Sequence, residues 1–354
     1  MGVLPYLWSL NSPRQGLRLY YYIKLRTKAV TLSTPVAFLI FNRPDLTEIV
    51  FEAIAQAKPK KLFVIADGPR FPEEAEKCDK AKAVINRVDW DCEVLTDFSE
   101  ENLGCGRREA SGFDWVFSQV EEAIFLEDDT LPTPSFFSFC QVLLEHYRDD
   151  ERIMHISGNN LQLGQSRTEY SYYFSKYPFA WGWASWRRAW KNYDYYMKSW
   201  PEFKEAKMME WIFEDPYEKR YWTNIFEQMY EDPQVIDTWD YQWYYTLYSQ
   251  HGLVIVPDSN LVSNLGFDRP DATHPLPNSP LAELPTSDIC KIIHPPFIVE
   301  NREADAYIFD CLIGGKTMKK GDTIIARMRQ RLRMRQRLSV VKENVASIYK
   351  AIIS

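Results

Sequence analysis

The sequence predicts an α/β fold built on a mixed, mainly parallel sheet with helices on both faces. Three observations carry this expectation: four short apolar runs within the first 126 residues, helical patterns between successive runs, and polar or acidic residues closing most of the runs. The first run is Pro35-Val-Ala-Phe-Leu-Ile-Phe41, which ends at Asn42-Arg43-Pro44 and reads as a buried strand followed by a turn. A helix follows, because Asp45-Leu-Thr-Glu48 has the form of a capping box and apolar residues recur at Leu46, Ile49, Val50 and Ile54. Lys61–Ala66 is the second strand and stops at Asp67-Gly68-Pro69. Residues 73–87 read as helix, 92–96 as a third strand, and Asn102-Leu-Gly104 as the turn into a helix through Phe117. The fourth strand, 123–126, runs straight into Glu127-Asp128-Asp129.

Beyond residue 150 the pattern loosens. Ile153–Ser157 is a further strand, residues 170–177 are rich in Tyr, 181–190 are dense in Trp, and the Pro-rich stretch 268–289 reads as a loop. No internal repeat is evident. The formal net charge of -7 conceals an asymmetry: residues 1–44 carry six Lys/Arg and no acid, and residues 316–354 carry eleven Lys/Arg against Asp322 and Glu343. The stretch between them therefore holds 25 basic and 47 acidic residues. This divides the chain into a basic N-terminal extension (1–32), one α/β body (33–315, with halves 33–150 and 151–315) and a basic, helix-patterned tail (316–354).

Composition limits the setting. The six cysteines are scattered, with no CxxC pair, which fits a reducing, cytoplasmic environment better than a disulfide framework. No apolar run approaches the roughly 20 residues that span a bilayer, and the first residues lack the order of a signal peptide. An aromatic content of 15%, with 12 Trp and 21 Tyr, suggests a ring-lined cleft in addition to ring-packed core.

The acid triplet asks for a physical explanation. Two unit charges about 5 Å apart repel by about 3 kcal/mol at an effective dielectric near 20, and a cation removes that cost. Strand alternation would put Glu127 and Asp129 on one side and Asp128 on the other, so that one acid holds Mg²⁺ or Mn²⁺ while another accepts from a ribose or sugar hydroxyl. Oxygen ligands and a metal shared with phosphates suit a nucleoside diphosphate. A solvated acidic helix start before Phe136 and Phe137 is the plainer alternative.

The segment Phe125-Leu-Glu-Asp-Asp-Thr-Leu-Pro-Thr-Pro-Ser-Phe-Phe137 resembles the metal-binding segment of the N-acetylglucosaminyltransferase I family of A-type glycosyltransferases and its bacterial relatives. The resemblance spans roughly residues 33–275. It implies the glycosyltransferase A-type, Rossmann-like fold in a single catalytic domain, with a nucleotide-sugar-binding half over 33–150 and an acceptor-binding half over 151–315. Carried over residue by residue, it implies donor contacts from Asn42, Arg43 and Asp67 at strand ends, from Arg107 and Arg108 in Asn102-Leu-Gly-Cys-Gly-Arg-Arg108, and from Glu127, Asp128, Gly182 and Trp183. It implies Asp129 as direct metal ligand and Asp240, in Trp239-Asp-Tyr-Gln-Trp243, as general base. Tyr241 stands where the family often has a second acid. His274 is a further candidate metal or phosphate ligand; His146 and His155 read as scaffold.

On chemical grounds, sugar transfer from a nucleotide-diphosphate sugar needs charge stabilised on the leaving diphosphate and a proton taken from the attacking hydroxyl. A metal with neighbouring arginines supplies the first and Asp240 the second, which predicts inversion at the anomeric carbon. The plainer reading of Asp240 is a helix cap, and Asp237 is its local rival as base. Implied partners are the nucleotide sugar and a glycan or lipid-linked acceptor. The Arg-alternating tail fits an anionic membrane surface as well as a solvated extension, and no nucleic-acid module is recognisable. A sugar-phosphate nucleotidyltransferase, which wants a Gly-rich basic loop after the first strand, and a non-catalytic carbohydrate-binding protein are the competing readings.

Overall fold

The computed structural model describes residues 32–267, 269, 279–282, 284–325 and 328. Strand β1 (Val36–Ile40) leads into helix α1 (Pro44–Ala57), β2 (Lys61–Ala66), α2 (Ala75–Ala83), β3 (Glu93–Phe98), α3 (Cys105–Gln119) and β4 (Glu122–Glu127). Next come β5 (Thr130–Pro132), α4 (Pro134–His146), β6 (Ile153–Ser157), β7 (Tyr172–Ser175) and β8 (Trp183–Trp186). Helices α5 (Pro216–Glu231) and α6 (Asp240–Gln250) precede β9 (Leu253–Pro257) and β10 (Val262–Asn264), and α7 (Arg302–Ile308) packs late in the described chain.

Eight strands form one sheet in the order β3-β2-β1-β4-β8-β6-β9-β7, and β5 pairs antiparallel with β10 beside it. Pairing is parallel from β3 to β4 and between β6 and β9, so six of the eight strands run one way and β7 and β8 oppose them. The mixed, mainly parallel, helix-flanked sheet expected from the sequence is thus the architecture found.

Period-two alternation sorts β1 and β2 between two cores. Val36, Phe38 and Ile40, with Leu62 and Val64, pack against Val50, Phe51 and Ile54 of α1 and Phe136 and Leu143 of α4. Ala37, Leu39, Phe63 and Ile65 pack on the other face against Phe113, Val116 and Phe117 of α3. Every residue of β1 is buried, which is why this strand reads as a continuous apolar run rather than an alternating one.

Two local expectations change. Helix α1 begins at Pro44 with Arg43 as its cap, without a side-chain cap bond, since proline presets the first-turn dihedral and has no N–H to satisfy. Asp45 sits inside that first turn and pairs with Arg269 at 2.8 Å. The expected helix over 73–87 is α2 bracketed by short 3-10 turns. The N-terminal extension apart from Leu32, His274, and most of the basic tail lie outside the described residues. Among the described residues no helix is long and apolar enough to cross a membrane.

The α3 face is locked by rings. Phe113 meets Phe125, Trp183, Trp190 and Trp239 edge-on at 4.8, 5.2, 5.3 and 4.8 Å. Phe113→Ala should therefore cost about 3–5 kcal/mol, read as a lower denaturant midpoint by tryptophan fluorescence. A loss under about 1 kcal/mol would show that the ring seam does not hold α3 to the sheet.

Candidate active site

The chain order reverses between β1 and β4. The connection after β1 passes over one face through α1, and the connection into β4 passes over the other through α3. The carboxyl ends of these two strands therefore open onto a switch-point crevice, where open α/β sheets bind ligands. Leu39 lies opposite Glu127 in the register, so 41–43 and 127–129 leave the sheet side by side.

The triplet does not continue as a strand. Asp128 and Asp129 form a turn before β5, closed by Thr130, whose hydroxyl accepts from Glu127 N–H at 2.9 Å and lies 3.1 Å from its carbonyl. The β5–β10 pairing holds that turn from outside, with Leu265 N–H donating to the Asp129 carbonyl at 2.8 Å. Because the turn breaks strand alternation, Asp128 and Asp129 both meet Arg43: Nη2 reaches Asp128 Oδ1 at 2.5 Å and Nη1 reaches Asp129 Oδ2 at 2.8 Å. Phe41 N–H donates to Asp128 Oδ2 at 3.2 Å, and the buried Asp129 Oδ1 accepts no hydrogen bond from the described residues. Burial pushes the Asp128 carboxyl up, to about 6, against the pull of Arg43.

The opposite wall is the start of α3 together with the segment before α6. Asp237 caps α3 across 132 residues of chain, accepting from Cys105 and Gly106 N–H at 2.9 Å each, where its charge also complements the helix dipole. The fit needs glycine: a Cβ on Gly106 would lie 2.5 Å from the Thr238 carbonyl oxygen. Thr238 Oγ1 then donates to Asp240 Oδ1 at 2.6 Å, which fixes the carboxylate at the first residue of α6. Asp237 is thereby committed to the scaffold. Asp240 is half-buried and follows the buried Trp239.

Glu109 joins the two walls. Its Oε1 accepts from Cys105 Sγ at 3.0 Å, and burial, with the charges of Asp240 and Asp129, raises its carboxyl to about 8. Burial likewise holds Glu127 well above the ordinary range, aided by the charges of Glu109, Asp129 and Asp128. Glu109 thus links the charge of Asp240 to that of the triplet, where Arg43 offsets it. Glu109 and Cys105 escaped the sequence reading; their (i, i+4) spacing in the first turns of a helix that opens on the strand-end layer was the available signal.

Other predicted contacts have scaffold duties. Asp67 accepts from Gly68, Leu103 and Gly104 N–H and from Asn102 Nδ2, so its oxygens are used to build the turn into α3. Arg108 is buried and donates to Ala66 and Asp97, tying the ends of β2 and β3, while Arg107 is exposed. Asn42 donates to Glu74 at 2.9 Å near the crevice mouth. Trp183 is only 2% exposed, stacked on Phe125 at 4.4 Å, Trp239 at 5.0 Å and His155 at 5.2 Å, and it backs the site without facing it. Gly182, at φ 62°, approaches the protein's own β10 so closely that a Cβ would lie 2.8 Å from Val262.

No family model and no curated protein matches the chain. Solved structures with partial likeness include GalNAc-T7 with UDP, GalNAc and Mn²⁺ (13% identity, TM-score 0.34, 46% of this chain and 37% of that one). They also include the galactosyltransferase LgtC with donor and acceptor sugar analogues (11%, 0.30, 49% and 65%). UDP-glucose pyrophosphorylase with UDP-glucose is a third (10%, 0.24, 40% and 62%). The chain spans less than two thirds of each, and likeness of this degree carries no argument about activity.

Glu109 gives a pH test. Its folded-state carboxyl titrates above the ordinary value of 4.5, so its protonated form favours folding. That contribution is complete below the ordinary value and is lost as pH rises toward about 8. Glu109→Gln, which cannot ionise, should gain in melting temperature relative to wild type as pH is raised through that window. A flat difference would remove Glu109 from the acid cluster.

Proposed function

We propose that the chain is a metal-dependent glycosyltransferase that moves a sugar from a nucleotide-diphosphate sugar to a hydroxyl acceptor with inversion. The observation that carries this reading is the pairing, at the switch-point crevice, of the Arg43-held Asp128–Asp129 turn with the 237–240 segment that caps α3 and orients Asp240. One wall can stabilise a departing diphosphate and the other can take a proton, the two requirements of sugar transfer.

Asp129 fits a metal ligand: its Oδ1 is buried without a donor among the described residues while Oδ2 is held by Arg43. Among the described residues no three His, Cys, Asp or Glu side chains could enclose an ion by themselves. A hard cation that takes one or two carboxylates and completes its shell with phosphate and water, as Mg²⁺ and Mn²⁺ do, suits that donor set. Such an ion would supply charge stabilisation to the leaving diphosphate. Arg43 can add charge-assisted contacts to the same oxygens.

Asp240 is the proposed base. Thr238 sets its carboxylate orientation, and the buried rings of Trp239 and Trp243 exclude water behind it. It receives the proton of the attacking hydroxyl as the new glycosidic bond forms and the bond to the diphosphate breaks on the opposite face of the sugar. We propose a glycan or lipid-linked acceptor; the basic run from Lys316 onward supports one presented at an anionic membrane surface, where each cation adds about 1 kcal/mol.

Asp240→Asn should keep the Mn²⁺-dependent thermal shift given by the cognate nucleotide sugar while transfer falls by about 10²- to 10⁴-fold; undiminished transfer would end the assignment. Asp129→Asn should lose the metal-dependent shift itself. Deleting residues 316–354 should abolish sedimentation with anionic but not neutral liposomes; unchanged sedimentation would end the membrane role.

A further inference from the structure

Arg43 occupies an unusual position for a donor-binding arginine, because its guanidinium spends its fork on the acids that the proposed metal needs. Arg43 stands at the cap of α1, one residue before Pro44, and its side chain is 14% exposed. One nitrogen holds Asp128 and the other holds Asp129. With Phe41 N–H on Asp128 Oδ2, the described residues satisfy three of the four carboxylate oxygens of this pair and leave Asp129 Oδ1 without a partner. A guanidinium is a planar, permanently charged fork that matches diphosphate oxygens as well as it matches two carboxylates.

We infer that Arg43 is an exchangeable internal counter-ion: it withholds the Asp128–Asp129 pair from a divalent ion until a nucleoside diphosphate arrives and draws the guanidinium onto its own oxygens. The inference rests on the proposed donor site and adds to it an order of events, in which metal and diphosphate enter as a pair.

The physical argument is one of charge. Whether an ion would displace Arg43 or bind Asp129 Oδ1 with Arg43 in place, it meets a full positive charge bound to the other oxygen of the same carboxylate. Metal alone therefore binds against repulsion or against the loss of two charge-assisted bonds. A diphosphate brings negative charge to both cations and removes that opposition. By linkage, whatever factor the nucleotide contributes to metal affinity, the metal contributes to nucleotide affinity. Burial opposes the charge of Arg43, but the two carboxylates more than offset this and hold it firmly protonated, so it remains a cation throughout any usable pH range.

The test is equilibrium dialysis of Mn²⁺ at fixed free concentration, with and without UDP, GDP or ADP, on the full chain. The proteins compared are wild type, Arg43→Gln, which keeps hydrogen-bond donors but no charge, and Arg43→Lys, which keeps charge without the fork. Arg43→Gln should bind Mn²⁺ alone about tenfold tighter than wild type, 1.4 kcal/mol, and its nucleotide enhancement should shrink by the same factor. Arg43→Lys should stay close to wild type for Mn²⁺ alone. These opposite shifts would not come from a merely structural role, which would weaken both. Arg43→Gln binding Mn²⁺ alone no tighter than wild type, with wild type still enhanced by nucleotide, would overturn the exchange and leave the donor site standing. No Mn²⁺ binding by wild type under any of these conditions would overturn the donor site and the exchange together. Should Arg43→Gln not fold, wild type decides: Mn²⁺ binding as tight without nucleotide as with it overturns the inference, and binding only with nucleotide supports it.

Discussion

The structure depends on how excess negative charge is contained where β1 and β4 leave the sheet. Asp128 and Asp129 are buried beside Glu127, Glu109 feels the charges of Asp129 and Asp240, and the guanidinium of Arg43 bridges Asp128 and Asp129. Burying ionised groups without compensation costs several kcal/mol each. The cluster persists because different devices serve its members: an arginine fork for Asp128 and Asp129, carboxyls raised by burial and neighbouring charge for Glu109 and Glu127, and the Thr238 hydroxyl for Asp240. A site poised in this way responds to any added cation or anion, which suits a reaction that separates charge.

The fold supplies the precision that such a cluster needs. The triplet turn is fixed from inside by β4 and from outside by β10, while the α3 start is fixed by Asp67 through the turn before it and by Asp237 through its first N–H groups. Two carboxylates are thus consumed in positioning the backbone on which the others depend. Gly106 lets the 237–238 segment approach closely enough for that capping, so the placement of Asp240 is set by a backbone contact between elements far apart in sequence.

Much of the sheet was legible because period and length coincide in buried strands. The stretch 35–41 is apolar on both faces and cannot be read as an amphipathic helix, and Lys61–Ala66 and Ile153–Ser157 have the bounds found. The triplet at the end of β4 was legible for the same reason. What could not be read was which polar side chain faces ligand and which faces protein. Asp67, Arg108 and Gly182 are the residue types a donor site uses, yet Asp67 serves the turn into α3, Arg108 ties β2 to β3, and Gly182 makes room for the Val262 side chain of β10, contacts made only once the chain is folded. Glu109 was missed for the converse reason: alone on a helix it looks like a solvated acid, and only the depth of the crevice makes it unusual.

The aromatic surplus also falls differently from the cleft it suggested. Trp183 stacks on Phe125, Trp239 and His155, and Trp243 donates to Nδ1 of His155, whose Nε2 lies 3.2 Å from the Phe179 carbonyl. Burial drives the charged form of His155 down to a pKa of about 3, so this histidine is a neutral spacer and not an ion partner. The rings therefore form a dry, neutral block behind the acids, continuous from α3 through β8 to α6. Such a block cannot screen charge, which raises the cost of every carboxylate in front of it and strengthens each bond that holds one in place. The Trp-dense stretch thereby serves the acid cluster by keeping its dielectric low, a role that requires none of these rings to touch a substrate.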